Sequence, residues 1–282
     1  MVRGLSEGKA FADLSGWRKL RVSGADALAW LNDLLSADIS DLGPGRAKTS
    51  LLLSPTGQMR ADVTVAMTEG SVLLLQDDVQ PRAIGDLLAP YVLSSKVELE
   101  DRTDDLAVLA FPGLASPPEA AGSTASTPSS LKAGSELLVP AGHRERLLGS
   151  LHEAYALADE DEVEAWRIRA GIPRFGVDGS EADLPQECGL EDAIAFHKGC
   201  YLGQETMARV RNFGHPRRVL LALFADDGVA SGDDVLAEGS SVGKVTSAAA
   251  VGGRTALLAK VRWEAREATL RSASGQELVA PS

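Results

Sequence analysis

Residues 196–218 read FHKGCYLGQETMARVRNFGHPRR, and this stretch decides how the chain is to be read. From His197 to Arg218 it carries Lys198, Arg209, Arg211, Arg217 and Arg218 against a single acid, Glu205, in a chain whose formal charge is −12. Such a local excess of positive charge suits a small anion or a polyanionic tail. The competing reading is that these arginines pair with surplus carboxylates in solvated ion pairs, which contribute little. Cys200, one of two cysteines, lies between Gly199 and Gly203, just before the helical run GQETMARVRN. A thiol ahead of a helix N-terminus and beside Lys198 gains reactivity as its thiolate is stabilised. The flanking glycines would let the backbone approach a ligand closely. Free cysteines are also among the most buried residues, so an inert structural Cys200 is the alternative.

Working outward, EADLPQECGLEDAI puts Glu187 after a proline turn, within 13 residues of Cys200. A carboxylate there can grip an amino-pyrimidine edge through two parallel hydrogen bonds, or simply be a solvated loop acid. Upstream, DEDEVEAWRIRAGIPRFG has acids in its first turn, Arg167 and Arg169 near its end, then Gly171 and Pro173. That order matches the helix dipole and a C-terminal stop. SGADALAWLNDLLS opens with Ser23 and Asp26 in a capping-box-like arrangement and continues with apolar residues at helical spacing. The runs LLLS, DVTVAM and SVLLLQ, separated by turns at Pro55-Thr56-Gly57 and Glu69-Gly70, predict antiparallel strands between Leu51 and Leu75. A helix from Pro81 to Tyr91, strands at KVELED, LAVLAF and ELLVP, and a helix from His143 to Ala156 complete an α+β pattern rather than a βαβ series.

Residues 114–130, LASPPEAAGSTASTPSS, are small, Pro-containing and Ser/Thr-rich, and predict a flexible surface loop. A domain linker would have the same composition; the strand and helix that follow favour an insertion within a domain. After Arg218 come short strand-like runs with Gly-rich turns, predicting a separate small β-barrel or sandwich.

Composition sets the outer bounds. Hydrophobic residues make up 44% and charged residues 24% of 282, as in an ordinary globular protein. The charge of −12 opposes sequence-independent nucleic-acid binding, and two cysteines fit a reducing compartment. With no apolar run near the ~20 residues of a membrane span and no signal-like N-terminus, the expectation is a cytoplasmic protein. Cys188, His197, Cys200 and His215 lack the paired spacing of a zinc knuckle. Two cysteines are too few to hold an iron–sulfur cluster alone, and there is no G-x-S-x-G elbow. The expected resident metal is none.

KGCYLGQE, Lys198 to Glu205, resembles the K-G-C-[FY]-x-G-Q-E signature of the YgfZ family, folate-binding relatives of the glycine-cleavage T-protein, an aminomethyltransferase. RVSGADALAWLNDLLSADI, WRIRAGIPRFGVD…LPQECGL and VGKVTSAA resemble other segments of the same superfamily. The resemblance implies an α+β, multidomain ring around a central channel with a C-terminal β-barrel. Its expected units are residues 1–48 with 159–212 as the folate-binding part, 49–158 as a second α+β part, and 213–282 as the barrel. It implies tetrahydrofolate as cofactor, Glu187 on the pterin ring, Lys198 and Gln204 among the folate-binding residues, and Arg217 or Arg218 on the glutamate tail. Cys200 becomes the reactive or transient-ligand thiol.

The role so implied is support of iron–sulfur cluster assembly or repair, with effects on clients such as tRNA-modifying enzymes. Iron–sulfur proteins or their assembly machinery are the expected partners, with no direct nucleic acid and no membrane. Two alternatives stand beside it. SPTGQMRADVTVA resembles the T-protein turn that ends in an acidic pair, with Asp62 at the second position and Ala61 in place of the first acid. Asp62 thus keeps open a folate-dependent aminomethyltransferase or demethylase, in which an aspartate orients the amine and stabilises positive charge. The other alternative is a non-enzymatic adaptor that has lost the ligand.

Overall fold

The computed structural model describes residues 2–281 except Glu69 and Ser94, so the first residue of the expected Glu69-Gly70 turn lies outside the described residues. Three sheets carry the chain. The first runs β10 (Ala156–Ala158), β1 (Ala10–Asp13), β7 (Leu106–Phe111), β9 (Ser135–Pro140) and β8 (Thr124–Ser126). The second runs β3 (Ala47–Leu53), β4 (Met59–Thr68), β5 (Ser71–Gln76), β2 (Arg18–Ser23) and β6 (Glu98–Asp101). The third runs β11 (Arg218–Ala225), β14 (Arg254–Arg262), β13 (Ser240–Val251), β12 (Asp234–Ala237), β15 (Leu270–Ser272) and β16 (Glu277–Leu278). The helices are α1 (Val2–Ser6), α2 (Ala27–Leu34), α3 (Ile84–Leu88), α4 (Arg144–Leu151), α5 (Glu160–Arg169) and α6 (Gln204–Phe213).

The predicted β3–β4–β5 meander is present, and strand alternation on β4 divides its roles. Ala61, Val63 and Val65 enter the core beneath α2, where Trp30, Leu31 and Leu34 pack, so Asp62 and Thr64 point to the other face. α5 forms where the acid-first, base-last order predicts a helix, and it starts with reciprocal bonds: Glu162 N donates to Asp159 Oδ1 (2.8 Å) and Asp159 N to Glu162 Oε2 (3.2 Å).

Three expectations are corrected. Ser23 does not cap α2; it ends β2, and the helix starts at Ala27 because the Asp26 carboxylate accepts from Lys96 N (2.8 Å) rather than from its own first turn. The segment 114–130 is not a loop throughout: Thr124–Ser126 pairs with β9, and Ser126, Ser129 and Ser130 are buried. Its C-terminal part builds the turn described below. The third sheet is a curled half-barrel rather than a closed barrel. Its edge strands meet at a single bridge, Phe224 with Val279, because β15 and β16 have three and two residues and cannot extend the closing ladder. β2 pairs with β5 and β6, while β1 pairs with β7 and β10.

The half-barrel has its own core of Leu223, Val235, Leu257 and Val261, yet it is not separate. Ile168 of α5 packs on Ala256 and Leu258. Buried Arg167 donates to Asp178 Oδ2 (2.7 Å) and Ser247 Oγ (2.8 Å), while Thr246 and Ser247 donate to Asp178 Oδ1 at 2.5 and 2.6 Å. This network satisfies a buried ion pair on both sides, as desolvated charges require.

Candidate functional site

The signature segment is held by two of its own residues. Lys198 Nζ donates to the carbonyls of Asn32 (2.6 Å), Leu35 (2.5 Å) and Ala37 (2.8 Å), the C-terminal end of α2 where unpaired carbonyls and the negative pole of the helix lie. Burial lowers the ammonium to about 8. Gly203 has φ +79°, and a Cβ there would stand 2.6 Å from Ser54 O and 3.0 Å from Gly57 Cα. The start of α6 therefore seats directly on the Ser54–Gly57 turn, which only glycine permits. Ser36 Oγ donates to Ala193 O (2.6 Å), and Ala195 N donates to Ser36 O (2.8 Å). Within this fixed loop Cys200 is exposed, whereas Cys188 is buried and its thiol is pushed up to about 12 by desolvation. The ammonium that the sequence placed beside Cys200 is thus directed into α2, and the thiol is presented outward.

A cleft of about 580 Å³ lies between the first two sheets and α5. Trp17, Asp62, Asp77, Lys132, Glu164 and Phe175 are on its walls. Asp62 is 8% exposed. Its carboxylate is 2.5 Å from Lys132 Nζ, and its backbone is tied to Gln80, with Asp62 N donating to Oε1 (3.1 Å) and Gln80 Nε2 donating to Asp62 O (2.6 Å). Lys132 holds a left-handed conformation, φ +63°. Its turn is closed by Lys132 N to Ser129 O (2.8 Å), Ser129 Oγ to Ala133 O (2.6 Å) and Ser130 N to Glu136 Oε2 (2.7 Å). The cleft's other cations are paired too: Arg174 grips Asp77 through Nε (2.5 Å) and Nη2 (2.9 Å), and Arg167 holds Asp178 and Glu164.

Glu187 lies on the short Pro185–Cys188 turn at 8% exposure, its Oε2 accepting from Leu184 N (3.0 Å). Beside it, Gln186 Oε1 and Tyr201 OH are buried with no hydrogen-bond partner, although Gln186 Nε2 reaches Met207 Sδ at 3.4 Å. Buried polar atoms normally have partners. Phe175 joins the regions: it lines the cleft and packs in one cluster with Cys188, Tyr201 and Met207.

Of the residues singled out by sequence, Asp62 alone lines the cleft; Glu187, Lys198, Cys200, Gln204, Arg217 and Arg218 do not. Gln204 opens α6 half-buried, and Arg217 and Arg218 are exposed. Lys132, which meets Asp62, went unseen because it sits at the end of the Ser-rich stretch. Its only sequence trace is the SSLKAGSE turn composition. Among the described residues no group of three or more His, Cys, Asp or Glu side chains is placed to hold a metal, and no helix is long and apolar enough to cross a membrane.

The GCVT N-terminal domain family matches residues 2–123. The tRNA-modifying protein YgfZ of Klebsiella pneumoniae (strain 342) is 28% identical over 233 residues, 74% of this chain and 70% of that protein. The mitochondrial iron-sulfur cluster assembly factor IBA57 homolog of Mycosarcoma maydis is 29% identical over 223 residues, 72% of this chain but 54% of its own length. This chain therefore spans about half of that relative. The crystal structure of glycine cleavage system aminomethyltransferase T from Bartonella henselae superimposes with a TM-score of 0.83 over 99% of this chain and 88% of that one, at 17% identity, which shows the shared fold. Fold and sequence match together give residues 2–123 a GCVT N-terminal domain and the chain the fold of an aminomethyltransferase T. By sequence the chain is similar to YgfZ proteins across about three quarters of its length.

Proposed function

We propose that this protein binds tetrahydrofolate and supports iron–sulfur cluster assembly or repair through Cys200. The observation that carries the reading is the contrast between its thiols: Cys188 is buried, while Cys200 is exposed on a loop locked by Lys198 and Gly203. An exposed thiol on a rigid mount suits transient ligation of a cluster passing between proteins. The names of the YgfZ and IBA57 relatives, a tRNA-modifying protein and an iron-sulfur cluster assembly factor, support it.

The cleft has room for a folate. A volume of about 580 Å³ is in the range of small-molecule sites. Gln186, whose Oε1 is unpartnered, adjoins Glu187 in sequence, and the Glu187 carboxylate is the proposed partner of the pterin's amino-pyrimidine edge. When bound, folate supplies one-carbon carriage or a shape that organises the cleft. Trp17 and Phe175 offer it aromatic walls. Because Lys132, Arg167 and Arg174 are all ion-paired, the anionic tail has no free cation within the cleft, and Arg217 or Arg218 is its proposed partner outside it. Lys198, engaged by three carbonyls, contributes by fixing the loop, and Gln204 by opening the helix that follows.

The position of Asp62 favours a second reading, an aminomethyltransferase or demethylase. Asp62 faces the cleft, while Ala61 faces the core, so a second acid at 61 would not reach the same space. Lys132 neutralises the Asp62 carboxylate, which reduces its capacity to stabilise a cationic amine. Titration with tetrahydrofolate, followed by Trp fluorescence, tests the binding. A saturable change that Glu187→Ala weakens supports the proposal; no saturable change leaves only an adaptor. Formation of methylenetetrahydrofolate from an aminomethylated carrier, above the uncatalysed background, would favour the second reading.

A further inference from the structure

The arginines after Cys200 raised the question of whether they pair with the chain's surplus acids. They do not. Among the described residues, none of Arg209, Arg211, Arg217 and Arg218 takes part in an ion pair, although pairs join many other arginines to carboxylates. Arg209 and Phe213 lie four residues apart on α6 and so share a face. Phe213 is 87% exposed. The chain then returns through His215, stacked on Trp263 at 4.8 Å, to Arg217, whose carbonyl accepts from Trp263 N (3.0 Å). This brings in Arg262, which stands directly opposite Arg218 in the β11–β14 register and is also exposed and without an ion pair. Like charges directly opposite each other destabilise a sheet, so the Arg218–Arg262 pair answers no need of the fold itself.

We infer that the exposed face formed by Arg209, Phe213, Arg218 and Arg262 is the docking surface for an acidic segment of a protein partner. Exposed arginines and an exposed aromatic ring at the end of α6 and the start of β11 have the composition of interface anchors. The rest of the molecule selects the class of partner. A nucleic acid long enough to use three phosphate contacts would run on over a body with net charge −12, whereas a short carboxylate-rich segment is confined to the patch. Cys200 precedes the N-terminus of α6 and Phe213 ends it, so a partner seated here has the exposed thiol one helix length, ~15 Å, from its anchor. A folate tail reaching Arg217 or Arg218 would leave Arg209, Phe213 and Arg262 uncovered. The inference rests on the cluster-handling reading only for what the partner brings to Cys200.

Fluorescence anisotropy with a fluorescein-labelled peptide of alternating Glu and Leu, set against a labelled single-stranded RNA of equal charge, tests it. Saturable peptide binding is expected, weakened at least about tenfold by Arg209→Glu with Arg262→Glu, weakened several-fold by Phe213→Ser, and retained by Arg209→Lys with Arg262→Lys. The tetrahydrofolate titration of each variant should match that of the parent, which separates failure of docking from failure of the folate reading. No saturable peptide binding, tighter binding of the RNA, or binding indifferent to the charge reversals would overturn the inference.

Discussion

Glu136→Gln should stabilise the protein at neutral pH, and by an amount that grows as the pH rises. Glu136 is fully buried on β9, opposite Ser126 of β8. Its Oε2 accepts from Ser130 N (2.7 Å), while Oε1 and the hydroxyls of Ser126 and Ser130 have no partner. Burial pushes the carboxyl from its ordinary 4.5 to about 7, opposed only in part by the Ser130 bonds. The folded state therefore holds a proton that the unfolded chain gives up earlier. Unfolding free energy falls as pH rises from about 4.5 to about 7 and then levels, with a full cost of about 3 kcal/mol. Glutamine keeps the acceptor for Ser130 N and offers an N–H to the neighbouring hydroxyls, without titrating. Urea denaturation of both proteins at pH 5 and pH 8 isolates the effect, because other groups cancel in the difference. The advantage of the variant should be about 2 kcal/mol larger at pH 8. Parallel stability curves would refute the assignment of a buried, neutral Glu136 beneath the Lys132 turn.

A thiol-specific reagent should label Cys200 at once in the folded protein and Cys188 only after unfolding, as counted by mass spectrometry; prompt labelling of both would contradict the burial of Cys188. Lys198→Met and Gly203→Ala should each cost about 2 kcal/mol in urea denaturation, the first by leaving the α2 carbonyls without their cation, the second by strain at φ +79° and contact with Ser54 O. Losses near zero would show that the loop is not mounted as described.

Much of this was legible in the sequence wherever a local rule applied. The α5 helix, the β3–β5 meander and the split between a signature loop and a terminal sheet follow from patterns a few residues long. The α2 start was misplaced because Asp26 found a partner 70 residues away. The burial of Ser126, Ser129 and Ser130 was hidden because small polar residues look alike in a loop and in a satisfied turn. At the candidate site, the signature singled out a segment, but not the division of labour within it. Lys198 resembles a ligand contact in sequence and proves to be a clamp on α2, a role visible only once residues 32–37 are placed beside it. The Asp62–Lys132 pair spans 70 positions, and no spacing rule connects them.

The central claim is that the exposed thiol of Cys200 works beside bound folate. It is tested most directly by giving cells that lack this protein the Cys200→Ala variant and measuring the activity of their iron–sulfur enzymes, with tetrahydrofolate binding of the purified variant as a control. Binding equal to the parent's, with no recovery of enzyme activity, is the expected result. Full recovery by Cys200→Ala would contradict the account.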